Sequence, residues 1–228
     1  MSLYLTIIIL SLLGPLVLSF DKKVHFYTHW KTIFPAIFIV GAIFIAWDIY
    51  FTKNGIWGFN PDYLSGIYFY NLPLEECLFF FVVPYACVFI YEVVKAYFPA
   101  FQPLQFSYVF AFIFSISAII LSIVFRENWY TFSALLGAGV LNLIIYFGWT
   151  PKWYPHFVVA FIITTLPFLI VNGVLTGAVT PEPIVWYSED HIMGPRIVTI
   201  PVEDIFYNFL MLFPIVGIHE WLKGKLAK

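Results

Sequence analysis

The sequence predicts an all-α integral membrane protein. It would have seven transmembrane helices, built as a parallel 3+1+3 internal repeat, with the N-terminus outside and the C-terminus inside. Three observations carry this. Of 228 residues, 62% belong to the AVILMFWYC set and 11% are charged, against roughly 25% charged in a soluble globular chain; mean hydropathy is +0.91. No soluble fold of this size can hide that much apolar surface. Apolar stretches of bilayer-crossing length recur along the whole chain, and the segment 72–95 recurs at 200–223.

A crossing helix needs roughly 20 mostly apolar residues. Seven stretches qualify: 3–20, 32–51, 74–95, 104–125, 131–149, 155–172 and 201–222. Each should be helical, because lipid offers backbone groups no other partner. The first stretch opens MSLYLTIIIL, without a basic n-region or an AxA-like exit, so it reads as a retained span and not a cleaved signal. Loop charges orient the set. With the N-terminus outside, the inner segments hold Lys22, Lys23, Lys31, Lys95, Lys152, Lys223, Lys225 and Lys228, and the outer ones only Lys53, Arg126 and Arg196. Six or eight spans would place the Lys-rich C-terminus with the Lys-poor loops.

The recurring segments are LPLEECLFFFVVPYACVFIYEVVK and IPVEDIFYNFLMLFPIVGIHEWLK, aligned without gaps at an offset of 128 residues. Pro73 meets Pro201, Glu75 meets Glu203, Glu76 meets Asp204, Glu92 meets Glu220 and Lys95 meets Lys223. Charges are scarce in this chain, so these coincidences in register indicate duplication. The division is 1–100 for the first repeat, 101–128 for a connecting fourth span, and 129–228 for the second repeat. Ligand sites of duplicated membrane folds lie at the interface between repeats.

Other features exclude function classes. A net charge of -2 gives no nucleic-acid footprint. No GxGxxG follows a strand and no GxxxxGK[ST] occurs, so no flavin, nicotinamide or nucleotide fold is indicated and no cofactor is expected. Cys77 and Cys87 stand ten apart in one apolar run and read as small core residues. His25, His29, His156, His191 and His219 make no HxxxH pair within a span, so no metal is expected.

The acids hold the chemistry. Each copy starts its third helix with Pro-x-Glu-acid. Helix-end chemistry is one reading: Pro suits a first turn, acids complement the macrodipole, and Asn71 and Thr199 are candidate caps. Glu92/Lys95 and Glu220/Lys223 are spaced three apart, as helical ion pairs at the inner end. Glu76 precedes Glu92 by 16 residues, about 24 Å along a helix, which keeps it within the outer edge of the hydrocarbon core. Paired acids there, without a base in the same turn, mark a functional site. Asp48 ends span two as a further candidate, and its counterpart Asn172 is neutral. The loop 52–72 is too apolar for a free loop and should lie in the interface over the acids.

Aromatics are 22% of the chain, with Phe (27) ahead of Tyr (15) and Trp (8). Phe-rich runs follow the acids directly: LFFF after Cys77's helix start and FYNF after Asp204's. A carboxylic acid in a dry aromatic cavity can protonate an alkene. Aromatic faces then hold the carbocation, by about 2 kcal/mol or more each when desolvated. A carboxylate removes a neighbouring proton, and the sequence of steps is redox-neutral. The competing reading is a 3+1+3 small-molecule transporter with proton-coupling carboxylates. SWEET-type sugar carriers are also parallel repeats, but their Pro-Gln signature is absent here.

The repeated PLEE/PVED helix starts, the run LFFFVVPY and the seven spans resemble the non-flavin membrane lycopene cyclases, which occur as two short chains or as one fused chain. The resemblance covers nearly the whole chain. It implies a fused-type carotenoid cyclase, an isomerase of the intramolecular-lyase kind that closes rings on lycopene. It implies Glu75, Glu76, Glu203 and Asp204 as acid/base groups, to which the position of Asp48 at the end of span two adds that residue. Trp47, Trp57, Tyr68, Tyr70 and Asn172 would line the substrate site. It further implies lycopene or a related polyene drawn from membrane lipid, a multi-pass place in a bacterial inner membrane, and a second copy or carotenoid-pathway enzymes as partners.

Overall fold

A computed structural model describes residues 2–226, so Lys228 lies outside the described residues. The helices are α1 (Leu3–Leu18), α2 (Trp30–Lys53), α3 (Leu74–Tyr97), α4 (Leu104–Val124), α5 (Trp129–Trp149), α6 (Tyr154–Leu175) and α7 (Glu203–Leu226). Six are long and apolar enough to cross a membrane, the first of these extending over Phe26–Lys53. The exception is α1, whose 16 residues reach about 24 Å, short of a core of about 30 Å. Its beginning is secured by Ser2, whose hydroxyl accepts the Leu5 N–H (3.1 Å). Beyond α1 the chain continues through a 3-10 turn, Phe26–His29, with Phe26 fully buried against Tyr85 and Phe89 of α3.

The packing is crossed. α1 packs on α3 and α5 on α7, while α2 packs on α7 and α6 on α3. α4 lies against α5 through a stripe of small residues: Ser107, Ala111, Ser115, Ala118 and Ser122. Small side chains let membrane helices approach closely, and a Cβ on Gly139 would meet the Ser115 carbonyl at 2.9 Å.

Three short antiparallel ladders sit at the ends of these helices, an addition to the all-α expectation. β1 (Trp57–Phe59) pairs with β4 (Val185–Tyr187), joining two loops far apart in sequence. β2 (Tyr68–Phe69) pairs with β3 (Leu72–Pro73), and β5 (Arg196–Ile197) with β6 (Ile200–Pro201). The last two are hairpins with two-residue turns, and such turns need positive φ. Tyr70 (φ 62°) and Val198 (φ 59°) supply it. Neither Asn71 nor Thr199 acts as the expected cap: Asn71 donates to the Ile49 carbonyl (3.0 Å) and Thr199 bonds the Thr176 hydroxyl (2.7 Å).

At the lysine-bearing end the ion pairs cross between helices. Lys95 pairs with Glu220 of α7, and Lys223 with Glu92 of α3 (3.1 Å). The Tyr91 hydroxyl donates to Glu220 (2.9 Å), and the His219 ring joins Glu92 (2.8 Å) to Thr32 (2.9 Å). Within one helix, Lys95 stands 3.8 Å from Glu92. Three-residue spacing permits pairs inside a helix, but the contact between α3 and α7 brings closer partners. Glu92, His219 and Glu220 have metal-like proximity, yet two ammonium groups already occupy the carboxylates.

Candidate active site

Residues 75–76 and 203–204 open α3 and α7 side by side. Neighbours on an α-helix point about 100° apart, so the two acids of each pair diverge. The first of each turns to a loop. Glu75 Oε1 accepts the Ser2 hydroxyl (2.6 Å) and the Ser65 N–H (2.7 Å). Glu203 Oε1 accepts the Thr131 hydroxyl (2.5 Å) and the Met193 N–H (2.6 Å). Both fasten the loop that precedes their own helix, and their side chains lie outside the cavity described next.

The second acid of each pair turns inward. Glu76 and Asp204 meet Asp48 of α2 and Asn172 of α6 around one cavity, roofed by Trp57 and Phe59 of β1 and Val185 and Tyr187 of β4. All four polar residues are buried. Glu76 accepts the Tyr4 hydroxyl (2.6 Å). Asp48 accepts the Thr52 hydroxyl (3.0 Å) and the Trp57 indole N–H. Asp48 and Glu76 also face one cavity from α2 and α3, where neighbouring buried carboxyl groups resist ionising together. Asp204 has a different surrounding. Tyr130 donates to one oxygen (2.5 Å), and Asn172 (2.5 Å) and Tyr187 (3.1 Å) donate to the other. In the loop above, burial and then the charge of Asp204 hold the Tyr187 hydroxyl well above the ordinary tyrosine range, so it remains a donor.

Among the described residues no basic side chain lines this cavity. Arg126 and Arg196 are engaged with Glu127 and Glu189. The acids therefore meet only neutral donors, each other and aromatic walls. One donor is idle: the Tyr207 hydroxyl is enclosed without a partner among the described residues, although its ring lines the cavity and stacks edgewise on Phe44, Trp47 and Trp57.

The sequence-predicted residues separate accordingly. Asp48, Glu76, Asp204, Asn172 and Trp57 converge. Trp47 stands behind Tyr207 and does not line the cavity. Tyr68 and Tyr70 are not brought to the site; they are 50% and 82% exposed, because the hairpin turn points them outward. The loop 52–72 covers the acids as expected, through β1. The Phe-rich runs mostly do not line the cavity. Phe79 does, whereas Phe80 is buried against Phe44, and Phe209 packs with Phe114, Phe157 and Phe213 between α4, α6 and α7.

These features define a polytopic helical membrane protein with three carboxyl groups enclosed beneath an aromatic roof. The family model for lycopene cyclase matches residues 1–94 and again 127–222. The chain belongs to the lycopene cyclase family. It is also similar to a bifunctional lycopene cyclase/phytoene synthase of Podospora anserina, 33% identical over 63 residues, which is 28% of this chain and 10% of that protein. The match thus spans only a tenth of that relative's length. No solved structure gives a significant match. The family match does not favour the transporter alternative.

Proposed function

We propose that this protein is a carotenoid cyclase, closing ionone-type rings on the ends of lycopene. The observation that carries the reading is the unequal pair of acid environments around one enclosed aromatic cavity. The Asp48–Glu76 pair keeps a proton, because two carboxyl groups share one buried cavity and each raises the cost of ionising the other, which makes it the proton donor. Asp204 receives three donors, and hydrogen bonds of that kind favour the anion, which makes it the base. The donor's O–H adds its proton to the terminal double bond, and the alkene's electron pair forms the new C–H bond. The resulting tertiary cation is attacked by the neighbouring double bond, closing the six-membered ring. Asp204 then takes a ring proton. One proton enters and one leaves, so no oxidant or reductant is needed.

The aromatic walls serve as cation hosts that cannot add to the cation. The Tyr207 hydroxyl is the donor available to the Asp48–Glu76 pair once its proton has gone, an arrangement in which a dipole faces charge that develops only during reaction. Two separate matches to one family model, together with the crossed packing, support the parallel 3+1+3 duplication. The side distribution of lysines supports the N-out, C-in orientation. The substrate would enter from lipid. Expression in a lycopene-accumulating bacterium, with chromatography of the pigments, tests the activity: cyclic carotenoids are expected, and unchanged lycopene in a strain carrying the membrane-inserted protein would refute it.

A further inference from the structure

The two roof strands carry different side chains at matching places. β1 and β4 start at 57 and 185, and the hairpin strands that follow start at 68 and 196 and at 72 and 200. Each step is 128 residues, the register of the recurring helices. Within it Trp57 corresponds to Val185, and Phe59 to Tyr187. Each roof strand supplies the acids one polar hydrogen, from a different position. The Trp57 indole N–H goes to Oδ1 of Asp48. The Tyr187 hydroxyl goes to Oδ2 of Asp204 (3.1 Å). Glu76, the third carboxyl group of the cavity, receives no roof hydrogen among the described residues; its partner is the Tyr4 hydroxyl of α1 (2.6 Å).

These partners differ in what they permit. An indole N–H only donates, so the oxygen it meets must offer a lone pair. The same oxygen of Asp48 accepts the Thr52 hydroxyl (3.0 Å), and donors gathered on a carboxyl group favour its charged form. A tyrosine hydroxyl gives or takes a hydrogen, so Tyr4 can also accept from a protonated Glu76. The Trp57 donor is fixed in place. Its ring is buried, stands edgewise on Tyr130 (5.1 Å) and Tyr207 (6.1 Å), and tilts over Phe51 (4.9 Å). A Cβ on the neighbouring Gly58 would strike the Trp186 ring, so the bare glycine lets the roof strands close.

We infer that Trp57 is a positioning residue: its N–H holds Asp48 as the anion of the pair and leaves the proton on Glu76, whose O–H is the bond that breaks when the alkene is protonated. The part played in catalysis rests on the cyclase reading; the place of the proton does not. The three carboxyl groups divide into one acid and two anions, and the anions are the two that the roof bonds.

Infrared spectra of the reconstituted protein locate the proton. Asp48 and Asp204 are the buried aspartates among the described residues, so isotope-labelled aspartate carboxyls report on them. In wild type, the band of protonated carboxyl groups should shift with labelled glutamate and stay still with labelled aspartate. Trp57→Phe keeps a ring and removes the N–H. Part of the band should then follow the aspartate label, because the proton divides between Asp48 and Glu76. A shift with labelled aspartate in wild type, or none in folded Trp57→Phe, would overturn the inference, and the wild-type comparison needs no variant. Turnover gives a second measurement. Trp57→Phe should lower kcat about tenfold with KM unchanged; wild-type kcat, or a change in KM alone, would contradict the positioning role. If wild type leaves lycopene unchanged, the cyclase reading fails, while the infrared band still reports which carboxyl group holds the proton.

Discussion

Glu76 and Asp204 hold matching places on α3 and α7, yet their neighbours differ. Glu76 has a second acid, Asp48, beside it and one tyrosine donor. Asp204 has an amide, Asn172, and two tyrosines. Under the proposed mechanism, a single exchange of carboxyl for amide on the preceding helix separates a group able to give a proton from one able to take it. In the proposed duplication, two acids come to one cavity, and divergence at positions 48 and 172 gives them different work.

The largest expected effects come from removing either role. Glu76→Gln and Asp204→Asn should each lower turnover by about 10²–10⁴-fold, the usual span for general acid–base groups, measured as ring product per minute in liposomes. Asn172→Asp makes the second environment resemble the first: Asp204 would then share a proton with its new neighbour and serve poorly as base. Its turnover should fall nearly as far as that of Asp204→Asn, and a fully active Asn172→Asp would break the comparison. Tyr207→Phe keeps the ring and removes the idle hydroxyl. It should lower kcat about tenfold, the worth of one hydrogen bond of about 1.4 kcal/mol, with KM unchanged; wild-type kcat would reduce Tyr207 to a wall.

The smallest catalytic effects belong to Glu75→Gln and Glu203→Gln. These glutamates hold loops, so activity should stay within about threefold. Thermal stability should drop, by roughly 1–3 kcal/mol for disturbed buried partners. A catalytic loss comparable to that of Glu76→Gln would return them to the active site.

Six of the seven expected spans were legible because length and hydropathy define them, whereas α1 forms a helix shorter than a crossing needs; the motif Pro-x-Glu-acid located Glu76 and Asp204. Which member of each acid pair faces inward was not legible: consecutive helical residues diverge by about 100°, and rotation is set by packing. The β1–β4 pairing joins loops more than a hundred residues apart through strands of three residues, too short for an alternating pattern. Tyr4, Tyr130, Tyr187 and Tyr207 were hidden among 15 tyrosines. Tyr4 and Tyr130 also stand 126 residues apart, outside the 128-residue register that revealed the repeat. The lysine-end ion pairs were read within helices, because spacing records neighbours along a helix and not across one.

The division of acid from base is tested most directly by solvent deuterium. Lycopene is incubated with reconstituted protein in D₂O, and both product and recovered lycopene are weighed by mass spectrometry. Wild type should place deuterium in each new ring. Asp204→Asn should yield little ring product but return labelled lycopene, because the donor still delivers deuterium and the cation reverts. Glu76→Gln should yield neither. Labelled lycopene from Glu76→Gln, or unlabelled rings from wild type, would contradict the account.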